Sequence, residues 1–124
     1  MTNKKNKLRC YKKGVRAEKI AAFWLMLKGY KILSRRYKTK LGEIDIIAKK
    51  GNLIAIIEVK YRYSVTEAMQ AIGYYNEIRI ERASDLWLAR RKDRYNLSLR
   101  YDLIIISPWR FPKHIKAIFL AKNK

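Results

Sequence analysis

Gly42-Glu43-Ile44-Asp45-Ile46-Ile47-Ala48 and, after a Gly-Asn turn, Leu53-Ile54-Ala55-Ile56-Ile57-Glu58-Val59-Lys60 decide the fold. Both runs are rich in isoleucine, and a short turn at Lys50-Gly51-Asn52 joins them, so they read as a hairpin. Leu53 to Ile57 is apolar at every position, which suits a strand covered on both faces. Strand side chains alternate, so Glu43 and Asp45 share a face, as do Glu58 and Lys60. A two-residue loop at Gly51-Asn52 sets Asp45 opposite Glu58 and Glu43 opposite Lys60; a loop at Lys50-Gly51 sets Glu43 opposite Glu58. Either register gathers all four groups on one face, whereas a three-residue loop does so only with a bulge. Opposed Cβ atoms lie ~5 Å apart, and like charges there destabilise a hairpin unless something lies between them. A divalent cation gripped by the carboxylates is one resolution. A solvated face laced with cross-strand salt bridges is the other.

Outward from the hairpin, Gly14 to Lys28 predicts a helix of about four turns, dense in Ala, Leu and Met and stopped by Gly29. Within it, Glu18 stands in a row with Val15, Ala22 and Leu25, where an apolar residue is expected. It is either a fourth acid of the hairpin cluster or a boundary acid reaching for solvent. Tyr30 to Tyr37 reads as a strand, Tyr74 to Arg91 as a helix, and Tyr101 to Ser107 and Ile115 to Ala121 as two more strands. The order α-β-β-β-α-β-β predicts an α/β fold with one mixed sheet flanked by helices. Residues 1–13 are expected to be a basic, flexible segment, and residues 14–124 one domain.

Thirty Lys and Arg against ten acids give a net charge of +20 over 124 residues, and hydrophobic residues at 49% exclude a merely disordered basic tail. No acid occurs in residues 1 to 17 or 103 to 124, and only bases stand between Glu18 and Glu43. Such a surface predicts a polyanionic partner, nucleic acid before others. One cysteine, Cys10, excludes an intramolecular disulfide and a cysteine zinc site. The N-terminus lacks the apolar core of a signal peptide, and Ile20 to Leu27 is too short to span a bilayer. A cytoplasmic protein with no membrane partner is expected.

The ordered set of these residues resembles the YraN-like family of small bacterial proteins. That family is related to the restriction-endonuclease-like superfamily and similar to archaeal Holliday junction resolvases. The resemblance is carried by Gly14, Glu18, Ala21, Leu25 and Gly29-Tyr30-Lys31-Ile32-Leu33; by Gly42-Glu43-Ile44-Asp45; by Glu58-Val59-Lys60-Tyr61-Arg62; and by Tyr101-Asp102-Leu103-Ile104. It implies a restriction-endonuclease-like fold in which Asp45 and Glu58, with Glu43 beside them, hold Mg²⁺ or Mn²⁺. Lys60 would orient or activate the attacking water, and Glu18 matches the helical acid that resolvase-like members add. Three departures stand out. Ala17 replaces a usual glycine, Arg36 a usual Asn, and Tyr74-Tyr75-Asn76-Glu77 a frequent Pro-x-Lys-Gln.

The function so implied is a metal-dependent nuclease acting on phosphodiester bonds in DNA, branched or recombination intermediates among them. The alternatives are a non-catalytic nucleic-acid-binding protein on the same scaffold and a structural protein bound to RNA. Lys12, Lys13, Arg16, Arg35, Arg36, Lys38, Lys40 and Arg62 would offset the acids' repulsion of phosphate, with Arg62 nearest the site. Two symmetric cuts would call for a homodimer. Tyr61, Tyr63, Tyr74 and Tyr75 suit packing more than base stacking, and His114 reads as a surface residue. Asp102 either assists the site or caps a turn.

Overall fold

The computed structural model describes residues 4–120, with the side chains of residues 4–12, Tyr74 and Tyr75 left outside that description. The expectations for residues 1–3, for Ala121 as the end of the last strand and for residues 122–124 of the domain, and for the side chains of Cys10, Lys12, Tyr74 and Tyr75 therefore lie outside the described residues. Helix α1 (Lys4–Leu27) leads into strands β1 (Lys31–Lys38), β2 (Glu43–Lys50) and β3 (Leu53–Tyr61). Helices α2 (Val65–Gln70) and α3 (Tyr74–Ala89) and a 3₁₀ turn at Arg94–Asn96 follow, then β4 (Ser98–Ile106) and β5 (Lys113–Phe119). The five strands lie side by side in chain order. All neighbours are antiparallel except β3 and β4, which are parallel because the helical crossover carries the chain back.

Two layers of core follow from the pleat. Ala17, Ala21 and Leu25 of α1 pack on Ile46, Ala48, Ala55, Ile57 and Ile104. On the other face Ile80 and Ala83 of α3 meet Ile47, Ile54, Ile56 and Tyr101, while Ala68 of α2 meets Leu103 and Ile105. A mixed sheet flanked by helices, in the expected order, is the result.

Strand and helix ends shift by a few residues, and two elements depart further from expectation. Helix α1 begins at Lys4, not at Gly14, so the stretch expected to be loose up to residue 13 is helical from Lys4 onward. Its polar, basic start lacks the apolar periodicity from which a helix is read, yet Lys, Arg and Leu all propagate one well. Gly29 ends it with φ 92°, and the Tyr30 N–H donates to the Leu25 carbonyl (3.0 Å). The six-residue α2 was not foreseen either. Ser64 caps it by accepting from the Glu67 N–H (3.1 Å).

Candidate functional site

The hairpin takes the two-residue loop. Lys50 pairs with Leu53, and Gly51 holds the positive φ (61°) that such a loop needs. The ladder runs from there only to Ile46 opposite Ile57. At the next position Asp45 breaks it: its Oδ2 accepts the Val59 N–H at 2.8 Å. A side chain thus receives a backbone donor of the neighbouring strand, and β2 and β3 part beyond it. The opening is a cleft of about 150 Å³ lined by Glu43, Asp45 and Glu58 together with Asn76 and Arg79 of α3. Gly42 sets its width. A Cβ there would stand 2.3 Å from the Arg79 carbonyl oxygen, so only glycine lets β2 and α3 come this close.

Glu18 reaches the same region from α1. It is buried, and its Oε1 has no hydrogen-bond partner. The nearest cation, Arg36 Nε, lies 3.6 Å away, beyond hydrogen-bond length. Burial pushes the Glu18 carboxyl above its ordinary range, and the Asp45 charge pushes further, against the pull of Arg36 and Arg35. Burial also raises Asp45, with the Val59 N–H and Lys60 opposing. Glu58 is raised to about 7, by burial first and by Asp45 second, although Lys60 Nζ sits 3.0 Å from its Oε1. Each of these three acids feels at least one other acid of the cluster. Such mutual repulsion in a partly dry cleft is what a cation would relieve.

The three carboxylates of the cleft fit a hard, oxygen-seeking divalent ion in kind, and the orphaned buried oxygen of Glu18 lies beside them. They do not converge in this conformation. Among the described residues no three acidic, histidine or cysteine side chains come close enough to hold one ion between them. Glu58 leans to Lys60 and Asp45 to Val59.

The basic residues divide. Arg36 joins the cluster through Glu18, from a backbone φ of 56°. Asn tolerates that left-handed conformation better than a long side chain does. Arg35, Lys38 and Lys40 are exposed along β1 and the loop after it. Lys13 and Arg16 are exposed on α1, with Lys13 Nζ 5.5 Å from the centre of the Tyr61 ring. Arg62 follows the end of β3, and its guanidinium folds back to donate to the Tyr61 carbonyl (2.7 Å).

Arg79 was missed as a cleft residue, and Asn76 entered only as part of a departure from the resembling family's pattern. The helix holding them was legible, but which of its faces meets Gly42 is a tertiary fact. His114 is not a surface residue: its side chain is 2% exposed. Its Nε2 donates to Asp102 Oδ2 (2.8 Å), and its Nδ1 accepts from Lys28 Nζ (2.7 Å). Asp102, fully buried, also accepts from Arg100 (2.7 and 2.8 Å) and from the Ala117 N–H (3.0 Å). Burial alone would raise its carboxyl; these donors outweigh that and lower it. Asp102 organises β4 and β5 and lines none of the acidic cleft.

Residues 17–106 match the model of the uncharacterised protein family UPF0102. A UPF0102 protein of Bartonella tribocorum is 57% identical over 118 residues, 95% of this chain and 91% of that one. One of Mesorhizobium japonicum is 50% identical over 93% of this chain and 92% of its own. One of Brucella canis is 50% identical over 98% and 97%. The chain belongs to the UPF0102 family.

Proposed function

We propose that this UPF0102 member is a metal-dependent nuclease that hydrolyses phosphodiester bonds in DNA. The observation that carries the reading is the parting of β2 and β3 at Asp45. It places Glu43, Asp45 and Glu58 in one cleft with Lys60 at its rim and the buried Glu18 beside it. A purely structural hairpin has no use for acids that raise one another's pKa in a chain so rich in bases. Asp45 and Glu58, with Glu43, would hold Mg²⁺ or Mn²⁺. Such an ion polarises a phosphoryl oxygen and acidifies a water.

The chain's own groups supply the rest. Lys60 brings a positive charge to the extra negative charge that develops on the phosphate in the transition state. Its pairing with Glu58 presets that position. Arg36 steadies Glu18 and offsets the local negative charge that would repel a phosphate.

The Glu58–Lys60 contact also supports a second reading, a nucleic-acid-binding protein that keeps these charges as a structural pair. One experiment separates the two. Branched, flapped, linear and single-stranded DNA are incubated with Mg²⁺ or Mn²⁺ and the parent, Asp45→Asn or Lys60→Ala. Hydrolysis by the parent alone, with binding nearly unchanged in both variants, is expected. A parent that binds all four substrates and cleaves none favours the binding reading. A Lys60→Ala protein as fast as the parent removes the role given to that lysine.

A further inference from the structure

On the α1 side of the sheet, past the ends of β3 and β4, lies a larger groove of about 520 Å³. Its walls include Arg16 and Tyr61, and its outer lip is the β4–β5 loop with Trp109, Arg110 and Phe111. Trp109 is fully exposed and sits at φ 60°. For a bulky side chain that backbone conformation is strained, and here it holds the largest apolar group of the loop in water instead of burying it. Phe111, also exposed, stacks on Trp24 with ring centroids 5.9 Å apart. Tyr61 meets Tyr63 edge-on at 6.4 Å, and Tyr63 is exposed. The described lining thus combines aromatic faces with two arginines and no acid.

That pairing of chemistries selects the occupant. A second copy of this chain would bring its own arginines against these, on a molecule of net charge +20. An apolar protein segment would leave Arg16 and Arg110 without a partner. Unpaired nucleobases on a phosphodiester strand satisfy both: base faces stack on the aromatic rings and phosphates meet the guanidiniums. Tyr61 lies three residues beyond Glu58 on β3, so the two side chains leave opposite faces of the sheet, and the groove is a surface separate from the acidic cleft.

We propose that this groove binds an unpaired stretch of DNA, with Trp109 as its stacking platform. The proposal rests on the nucleic-acid reading above but not on cleavage, so it is tested without metal.

Affinities for a single-stranded twelve-nucleotide oligomer, its RNA counterpart and the matching duplex are measured in EDTA for the parent, Trp109→Ala and Arg110→Ala. Stacking one base is worth a factor of about 5 to 150 by alanine substitution. Trp109→Ala should therefore weaken single-strand binding about tenfold or more and change duplex binding less than twofold. Parent tryptophan emission should be quenched by the single strand, and most of that quenching should vanish in the variant. Arg110→Ala should weaken binding and flatten its salt dependence. Equal losses on single strand and duplex, no loss in Trp109→Ala, tighter binding of RNA than of DNA, or a concentration-dependent dimer that Trp109→Ala dissolves would each overturn the proposal. Absence of cleavage by the parent would not touch it, because every arm is a binding measurement.

Discussion

The ladder ends because Asp45 does two things at once. Its carboxylate takes the Val59 N–H that a backbone carbonyl would otherwise accept, and its charge falls on Glu18 and Glu58. Asparagine keeps the first role and drops the second. Asp45→Asn should therefore leave the metal-free protein at least as stable as the parent, gaining on the order of 1 kcal/mol at pH 8. It should also lose most of the stabilisation that millimolar Mg²⁺ or Mn²⁺ gives the folded parent. Thermal melts of both proteins, with EDTA and with metal, test both halves. A parent indifferent to metal together with a destabilised Asp45→Asn would make Asp45 a simple salt-bridge partner.

Glu58 carries the matching pH dependence. Its folded pKa, about 7, is raised above the ordinary 4.5, so folding favours its protonated form. That contribution is fully present below about pH 4.5 and is lost as pH rises through about 7, a change of roughly 3 kcal/mol at most. Glu58→Gln should flatten the metal-free stability profile between pH 5 and 8. An unchanged profile in urea titrations would mean that Lys60 neutralises Glu58 outright. The cluster's members were legible because an acid inside an isoleucine-rich strand needs a reason. Asp102 was as visible in sequence, and Arg100 two residues before it shares its face, but its role also depends on His114 closing on it from β5, which only strand pairing decides.

At the scale of elements, register was readable and docking was not. A Gly-Asn pair between two apolar runs specifies the two-residue loop, and with it which side chains share a face. Nothing in either run says that α3 will press on the strand at Gly42. A methyl group there would meet the Arg79 backbone, which cannot swing away as a side chain can. Gly42→Ala should cost about 2 kcal/mol through overpacking and shift α3, and any cleavage should fall with it. Gly14 is the counter-case. It sits inside α1 with nothing within 4 Å of a built Cβ. Gly14→Ala should add roughly 0.5–1 kcal/mol. That gain depends on α1 running from Lys4; a helix starting at Gly14, as the apolar pattern alone suggests, would give almost none. Urea melts of the two variants side by side check both statements.

For the molecule as a whole, charge decides the partner more than any single residue. The bases spread over α1, β1 and the loops, while half of the ten acids gather in two places: Glu43, Asp45 and Glu58 in the cleft with Glu18 beside them, and Asp102 among its donors. Among the described residues no helix is long and apolar enough to cross a membrane. A net +20 implies counterion release on binding DNA. If about four phosphates are neutralised, affinity for duplex should fall about a hundredfold between 50 and 200 mM salt. Lys60→Ala should shift that slope by no more than one ion, since it removes one of thirty bases. Electrophoretic shifts across that range measure the slope directly. A flat slope would remove the polyanion argument and leave the cleft's acids without a phosphate to serve; a steep one that Arg16→Ala or Arg35→Ala reduces would trace the path of the backbone from the groove towards the cleft.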